Sequence, residues 1–202
     1  MRQYSTSAGL YRGLLYNLVK TGKRQSINLT ATETSPNHPD RVIDNIIDYD
    51  NENMYTSIHN PDFGQWVQIE LVDRFIDLKA YALGHNSVNY PRHWDIFVSM
   101  DGNHWNNPHQ IRNNDDSNNG HIFKFTKHIG FIRFFKIINR GLNAQNNPQN
   151  NEIYISYIDL YGNVVECDSN CTVLPHIPFT NKYCMKYGVN FLYVAALTLF
   201  VS

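Results

Sequence analysis

The sequence predicts an all-β fold, an antiparallel β-sandwich, on three observations. Apolar and polar residues alternate through most of the chain from Ile27 to Tyr161, the period of strands with one buried face. These runs are separated by clusters of Gly, Pro, Asn and Asp, the residues that make turns. Almost no helical periodicity lies between them, which excludes the strand-helix-strand units of a parallel sheet.

The first element is the exception to the β pattern. Leu10, Leu14, Leu15, Leu18 and Val19 fall on one stripe of a short amphipathic helix that Thr21-Gly22 ends. Such a stripe is expected to plug the side of a domain rather than to enter a membrane. Ile27, Leu29 and Ala31 then alternate with Asn28, Thr30 and Thr32, and Val67, Ile69 and Leu71 with Gln68 and Glu70. Leu78, Tyr81 and Leu83 lie in a third apolar run. Trp94, Ile96, Val98 and Met100 alternate with Asp95 and Ser99, and Asp101-Gly102 supplies residues that tolerate positive φ in a tight hairpin. Further strands are expected at His121–Thr126, Gly130–Asn139 and Ile153–Tyr161. Asn113–Gly120 and Asn143–Asn151 read as polar loops whose Asn side chains satisfy turn backbone.

Composition narrows the function classes. The 202 residues are 42% hydrophobic and 13% aromatic, enough for a sizeable core and too much for a disordered polar chain. Seventeen Lys and Arg against eighteen Asp and Glu leave a net charge of −1, so no global field favours nucleic acid or an anionic membrane. Polar positions are filled by Asn, Gln, Ser and His rather than by charge, which suits recognition by hydrogen bonding and shape. Met1–Ser7 is polar, and no signal-peptide core follows it, so an intracellular chain is expected. Cys167, Cys171 and Cys184 all lie near the end, so disulfides do not hold the body together. Their spacing with His176 matches no common zinc finger, and free thiols or one disulfide are expected. Three regions follow: an N-terminal extension over 1–26, the sandwich over 27–165, and a linker with an apolar tail over 166–202. The run Val189–Val201 is shorter than the ~17–25 residues that cross a bilayer; membrane contact, if the chain makes any, is expected only through this tail.

Four stretches occur in a recognisable order: Tyr90-Pro91-Arg92-His93-Trp94, Ser99-Met100-Asp101-Gly102-Asn103-His104-Trp105, Phe131-Ile132-Arg133-Phe134-Phe135-Lys136-Ile137, and Ser156-Tyr157-Ile158-Asp159-Leu160-Tyr161-Gly162. Upstream stand Asn45-Ile46-Ile47-Asp48, Tyr55-Thr56-Ser57 and Gln65-Trp66-Val67-Gln68-Ile69-Glu70-Leu71. This ordered set resembles the coagulation-factor V/VIII type C, or discoidin, domain over roughly Ile27–Gly162, and residues 8–26 look like the helix that precedes it in intracellular protist members. The resemblance implies a galactose-binding-like jelly-roll sandwich used for binding. Tyr55 stands where the family usually has Trp, and Tyr157 where many members have a Glu that helps bind structural calcium. A phenol is a poor substitute for that carboxylate, so no metal or other cofactor is expected; Asp48 would lead such a site.

Independently of the family, Arg133 and Lys136 inside an apolar strand need partners or a route to water and read as structural. Strand reversal at the Asp101-Gly102 hairpin puts the loop Gly84–Arg92 at the opposite end. In the family pattern the loops Glu33–Arg41, Thr56–Gln65 and Arg140–Glu152 share that end. Such a rim is where a sandwich carries recognition. The first loop lacks bulky apolar side chains and the third offers only Val88 and Tyr90, which suits a sugar or a peptide better than a bilayer. Tyr90 is the expected stacking platform, with His85, Asn86, Arg92 and Asn143 as donors and acceptors.

No Gly-x-Ser-x-Gly, His-Glu-x-x-His, phosphate loop or dinucleotide fingerprint is present, and Asp115-Asp116 lies in an Asn run rather than a cleft, so no enzymatic activity is expected. The expected function is a non-catalytic module that binds a glycan or peptide. The alternative is a protein-protein scaffold that docks through a sheet face or the tail.

Overall fold

The structure, a computed structural model, describes residues 2–4, 12–49, 53–85, 89–116, 120–149 and 151–166. The expected helix start at Leu10, the site residue Asn86, the three cysteines and the apolar tail lie outside the described residues. Among the described residues no helix is long and apolar enough to cross a membrane.

Among the described residues, twelve strands and one α-helix follow in chain order: β1 (Arg2–Tyr4), α1 (Leu14–Lys20), β2 (Ile27–Ala31), β3 (Tyr55–Thr56), β4 (Trp66–Leu71), β5 (Arg74–Gly84), β6 (Trp94–Ser99), β7 (Asn106–Ile111), β8 (His121–Lys124), β9 (Phe131–Ile132), β10 (Phe134–Asn139), β11 (Tyr154–Ile155) and β12 (Tyr157–Glu166). One sheet runs β1-β12-β5-β8, with β9 also on β5, and the other β2-β4-β10-β6-β7; β11 and β3 form a small ladder. Every pairing is antiparallel.

The two sheets face each other because their period-two patterns point inward together. Val67, Ile69 and Leu71 of β4, Phe135 and Ile137 of β10, and Ile96 and Val98 of β6 meet Ile76, Leu78 and Leu83 of β5 and Ile158 and Leu160 of β12 in one core. Trp94 is wholly buried there, its indole N–H donating to Tyr81 Oη at 2.9 Å. An aromatic fully buried in a core needs such a partner for its polar atom. Gly102 adopts φ +80 in the β6–β7 hairpin, as Asp-Gly leads one to expect. At Gly162 the β12–β5 register shifts, and a Cβ would lie 2.1 Å from the Asp77 carbonyl oxygen; only glycine admits that approach.

Two long expected strands are each broken. Gly130–Asn139 divides at Arg133, so that β9 pairs with β5 in one sheet and β10 joins the other. Arg133 sits at the crossing, its guanidinium donating to Leu71 O at 3.2 Å and to Glu70 Oε1 at 2.6 Å. Ile153–Tyr161 breaks likewise at Ser156 between β11 and β12. Lys136 on the outer face lies over the rings of Trp66 and Trp105, 4.9 and 4.6 Å from their centroids; both cations are thus structural. Sequence periodicity missed β1, β3 and β7. The Asn106-Asn107-Pro108 composition of β7 disfavours a strand, but as an edge strand it tolerates a proline.

The N-terminal residues are laid onto the sandwich. β1 pairs with β12 from Arg2↔Val164 to Tyr4↔Gly162, and α1 buries Leu14, Leu15 and Leu18 in the main core. On the other face of the first sheet Ala80, Ala82, Tyr157 and Tyr161 form a second cluster with Tyr49 against it. Asp159, on that face of β12, is completely buried and accepts the backbone N–H groups of Gly13 and Leu15 at 2.9 and 2.8 Å. A carboxylate from the sheet therefore caps α1, whose N-terminal donors have no partner within the helix.

Candidate functional site: a loop rim at one end of the sandwich

The antiparallel registers bring five connections to one end. Trp94 at the start of β6 lies opposite Asn139 at the end of β10 and Ile111 at the end of β7, and Gly84 at the end of β5 lies opposite Tyr157 at the start of β12. The loops leaving these termini are tied by backbone bonds. Ile58 N donates to Glu33 O at 2.8 Å and Tyr154 N to Asn89 O at 3.1 Å. Ala144 N donates to Tyr90 O at 3.0 Å, and Pro91 bridges to Asn143. The four expected loops thus share one rim. A fifth, after β7, joins them through Asn114 N to Arg92 O at 3.0 Å. Sequence reasoning left this Asn-rich segment out because β7, which reverses the chain into it, had no legible pattern.

Tyr90 and Arg92 stand at the middle of the rim. The Tyr90 ring stacks on His85 with centroids 4.2 Å apart and planes 8° from parallel. Its hydroxyl donates to Asp115 Oδ1 at 2.9 Å. Arg92 faces the same carboxylate, with Nε 2.8 Å from Oδ1 and Nη2 3.2 Å from Oδ2. Tyr90 remains partly exposed, so its ring is held from below and at its edge while it faces solvent. Desolvation, then the Asp115 bond and charge, raise the Tyr90 phenol above its ordinary value, with Arg92 opposing. Burial, then Arg92 and Arg112, lower His93. Behind these residues Asp95, buried, receives Arg112 Nη2 at 2.8 Å and Arg140 Nε at 2.9 Å.

The other expected contact residues have different roles. His85 is 2% exposed and lies beneath Tyr90; it supports the platform. Asn143 is completely buried; its amide donates to Glu152 O at 2.9 Å and its carbonyl accepts from Gln145 N at 3.1 Å. In this structure its polar atoms tie the loop together. Ser35, Glu152, Tyr154 and His38 form a further bracing cluster within the rim, with the His38 ring nitrogen 3.2 Å from Tyr154 Oη. Asp48 accepts Asn53 Nδ2 at 2.9 Å. The Tyr157 ring fills the space beside Gly84, where a Cβ would lie 2.2 Å from it. Among the described residues no group of three or more His, Cys, Asp or Glu is placed to hold a metal.

The F5/8 type C domain model matches residues 28–153. No curated protein matches this chain in sequence. Among solved structures it is similar to CpGH89CBM32-5 of Clostridium perfringens in complex with GalNAc-β-1,3-galactose: TM-score 0.53, 17% identity, covering 68% of this chain and 96% of that one. It is also similar to the family 32 carbohydrate-binding module of Clostridium perfringens NanJ in complex with galactose, at TM-score 0.51 and 14% identity over 68% of this chain and 94% of that one. A third is the family 32 module of AlyQ in complex with 4,5-unsaturated mannuronic acid, at TM-score 0.50 and 16% identity over 66% of this chain and 93% of that one.

Proposed function

Because the chain belongs to the F5/8 type C domain family, we propose that it is a non-catalytic carbohydrate-binding module that takes its sugar on the loop rim at Tyr90 and Arg92. The single observation that carries this reading is the held but partly exposed Tyr90 ring, stacked on His85 and bordered by the Arg92–Asp115 pair. An aromatic face beside fixed donors and acceptors is the arrangement a pyranose needs: its apolar face stacks and its hydroxyls bond at the edge. The pre-set geometry lowers the ordering cost of binding. The solved relatives in complex with galactose, GalNAc-β-1,3-galactose and unsaturated mannuronic acid support it. The rim holds hydrogen-bonding groups already braced by neighbours, which favours recognition.

A glycan array with the full chain tests this. Binding to a subset of sugars, lost in the Tyr90→Ala, Arg92→Ala double variant at unchanged thermal midpoint, is the expected outcome. Binding that survives the double variant would move the site off this rim.

A further inference from the structure

Resting on that reading, we propose that the rim selects neutral sugars with adjacent free hydroxyls over their uronic acids, and that Asp115 is the residue that makes the choice.

The argument starts from the charge balance at the platform. Asp115 is the carboxylate that touches both Tyr90 and Arg92. Its side chain is 57% exposed, whereas that of Arg92 is 19% exposed. The pair is therefore more open on the Asp115 side than on the arginine side. A carboxylate offers about four lone-pair sites. Tyr90 Oη bonds Oδ1 and Arg92 Nη2 bonds Oδ2, while Arg92 Nε lies 2.8 Å from Oδ1 as an ion-pair contact without a hydrogen bond, so each carboxylate oxygen keeps acceptor capacity for a ligand. Next to it the Arg92 guanidinium keeps further N–H groups, so an acceptor and a donor stand side by side at one edge of the aromatic ring. Two neighbouring ring hydroxyls, one donating and one accepting, match that pair while the sugar stacks on Tyr90.

A sugar carboxylate is poorly matched here. The Arg92 charge is already neutralised at 2.8 Å, so an incoming anion gains little from it and meets the like charge of Asp115 in a partly desolvated place. The other cations of these loops are engaged elsewhere. Arg112 and Arg140 both hold Asp95, and Arg41 lies over the Tyr154 ring at 5.3 Å. None of the three contacts Tyr90 or Asp115 among the described residues. Selectivity of this kind works by a repulsive element as much as by an attractive one.

The test uses matched pairs that differ only at C6: the methyl glycosides of galactose, glucose and mannose against those of the corresponding uronic acids, titrated calorimetrically into the full chain. Whichever neutral sugar binds, its uronate is expected to bind at least about tenfold more weakly. Asp115→Asn, which frees the Arg92 charge, is expected to reduce that ratio at least about tenfold, while Asp116→Asn leaves it unchanged. A loss of rim structure alone would weaken both sugars together and leave the ratio where it was, so the ratio separates selection from folding. Uronates that bind wild type as tightly as the neutral sugars, or an Asp115→Asn chain with the wild-type ratio, would overturn the inference and leave the rim reading standing. Silence towards all six sugars would remove both.

Discussion

The Asp159 carboxylate accepts the Leu15 backbone N–H at 2.8 Å, joining a strand of the first sheet to a helix 144 residues earlier in the chain. Burial pushes this carboxyl up to about 7, against the pull of the Leu160, Leu15 and Gly13 N–H groups and the Tyr49 hydroxyl. Between the ordinary carboxylate value of about 3.9 and about 7 the folded chain holds a proton that the unfolded chain has lost. The Asp159 contribution to stability therefore falls as pH rises through that window, and is level above it. His93 and His109, lowered by burial, act in the opposite sense below about pH 6.5, so the check is a difference. The gap in urea midpoint between wild type and Asp159→Asn should narrow from pH 5 to pH 8. A constant gap would mean that Asp159 is ionised throughout.

Asn143 ties its loop from inside, so its loss should be felt in folding before binding. Asn143→Ala leaves the buried Glu152 carbonyl short of a donor and removes the acceptor of the Gln145 N–H, at a cost of about 1–3 kcal/mol. The expected result is a lowered urea midpoint at unchanged m-value, with Tyr90→Ala by comparison close to wild type. An Asn143→Ala chain that unfolds with wild type but no longer binds sugar would restore it as a ligand contact.

Lys136 bridges Trp66 and Trp105 on the outer face of the second sheet. Its ammonium interacts with both rings and its stem covers apolar surface. Lys136→Ala should cost about 1–2 kcal/mol and change tryptophan fluorescence, while Lys136→Arg, which keeps the charge and can stack, should stay near wild type. Equal denaturation midpoints for the Ala variant and wild type would show that the sandwich does not depend on this contact.

Much of the sandwich was legible because burial imposes a period of two. β2, β4 and β6 lie where Ile27, Val67 and Trp94 begin their alternations. The breaks at Arg133 and Ser156 were not legible, since a strand that passes from one sheet to the other keeps its apolar character through the crossing. β7 was hidden because an edge strand is stabilised by its neighbour β6 rather than by its own composition. At the rim, Tyr90 and Arg92 were found because an aromatic and a cation stand out in a polar loop. Asp115 was not, because its meaning depends on partners 25 and 23 residues away. That Asn143 and His85 are buried was not legible for a related reason: a polar side chain in a loop reads the same whether it faces solvent or fastens the turn beneath it.

The pairing of β1 with β12 also bears on how the protein avoids sticking to itself. β12 is a ten-residue strand with β5 on one side. Its other margin, from Gly162 to Val164, is covered by the three residues of β1. Without them that stretch of amides and carbonyls would be open to any passing extended chain, and a ladder grown from one molecule to the next would begin there. Growth from that stretch of β12 would first have to displace Arg2–Tyr4.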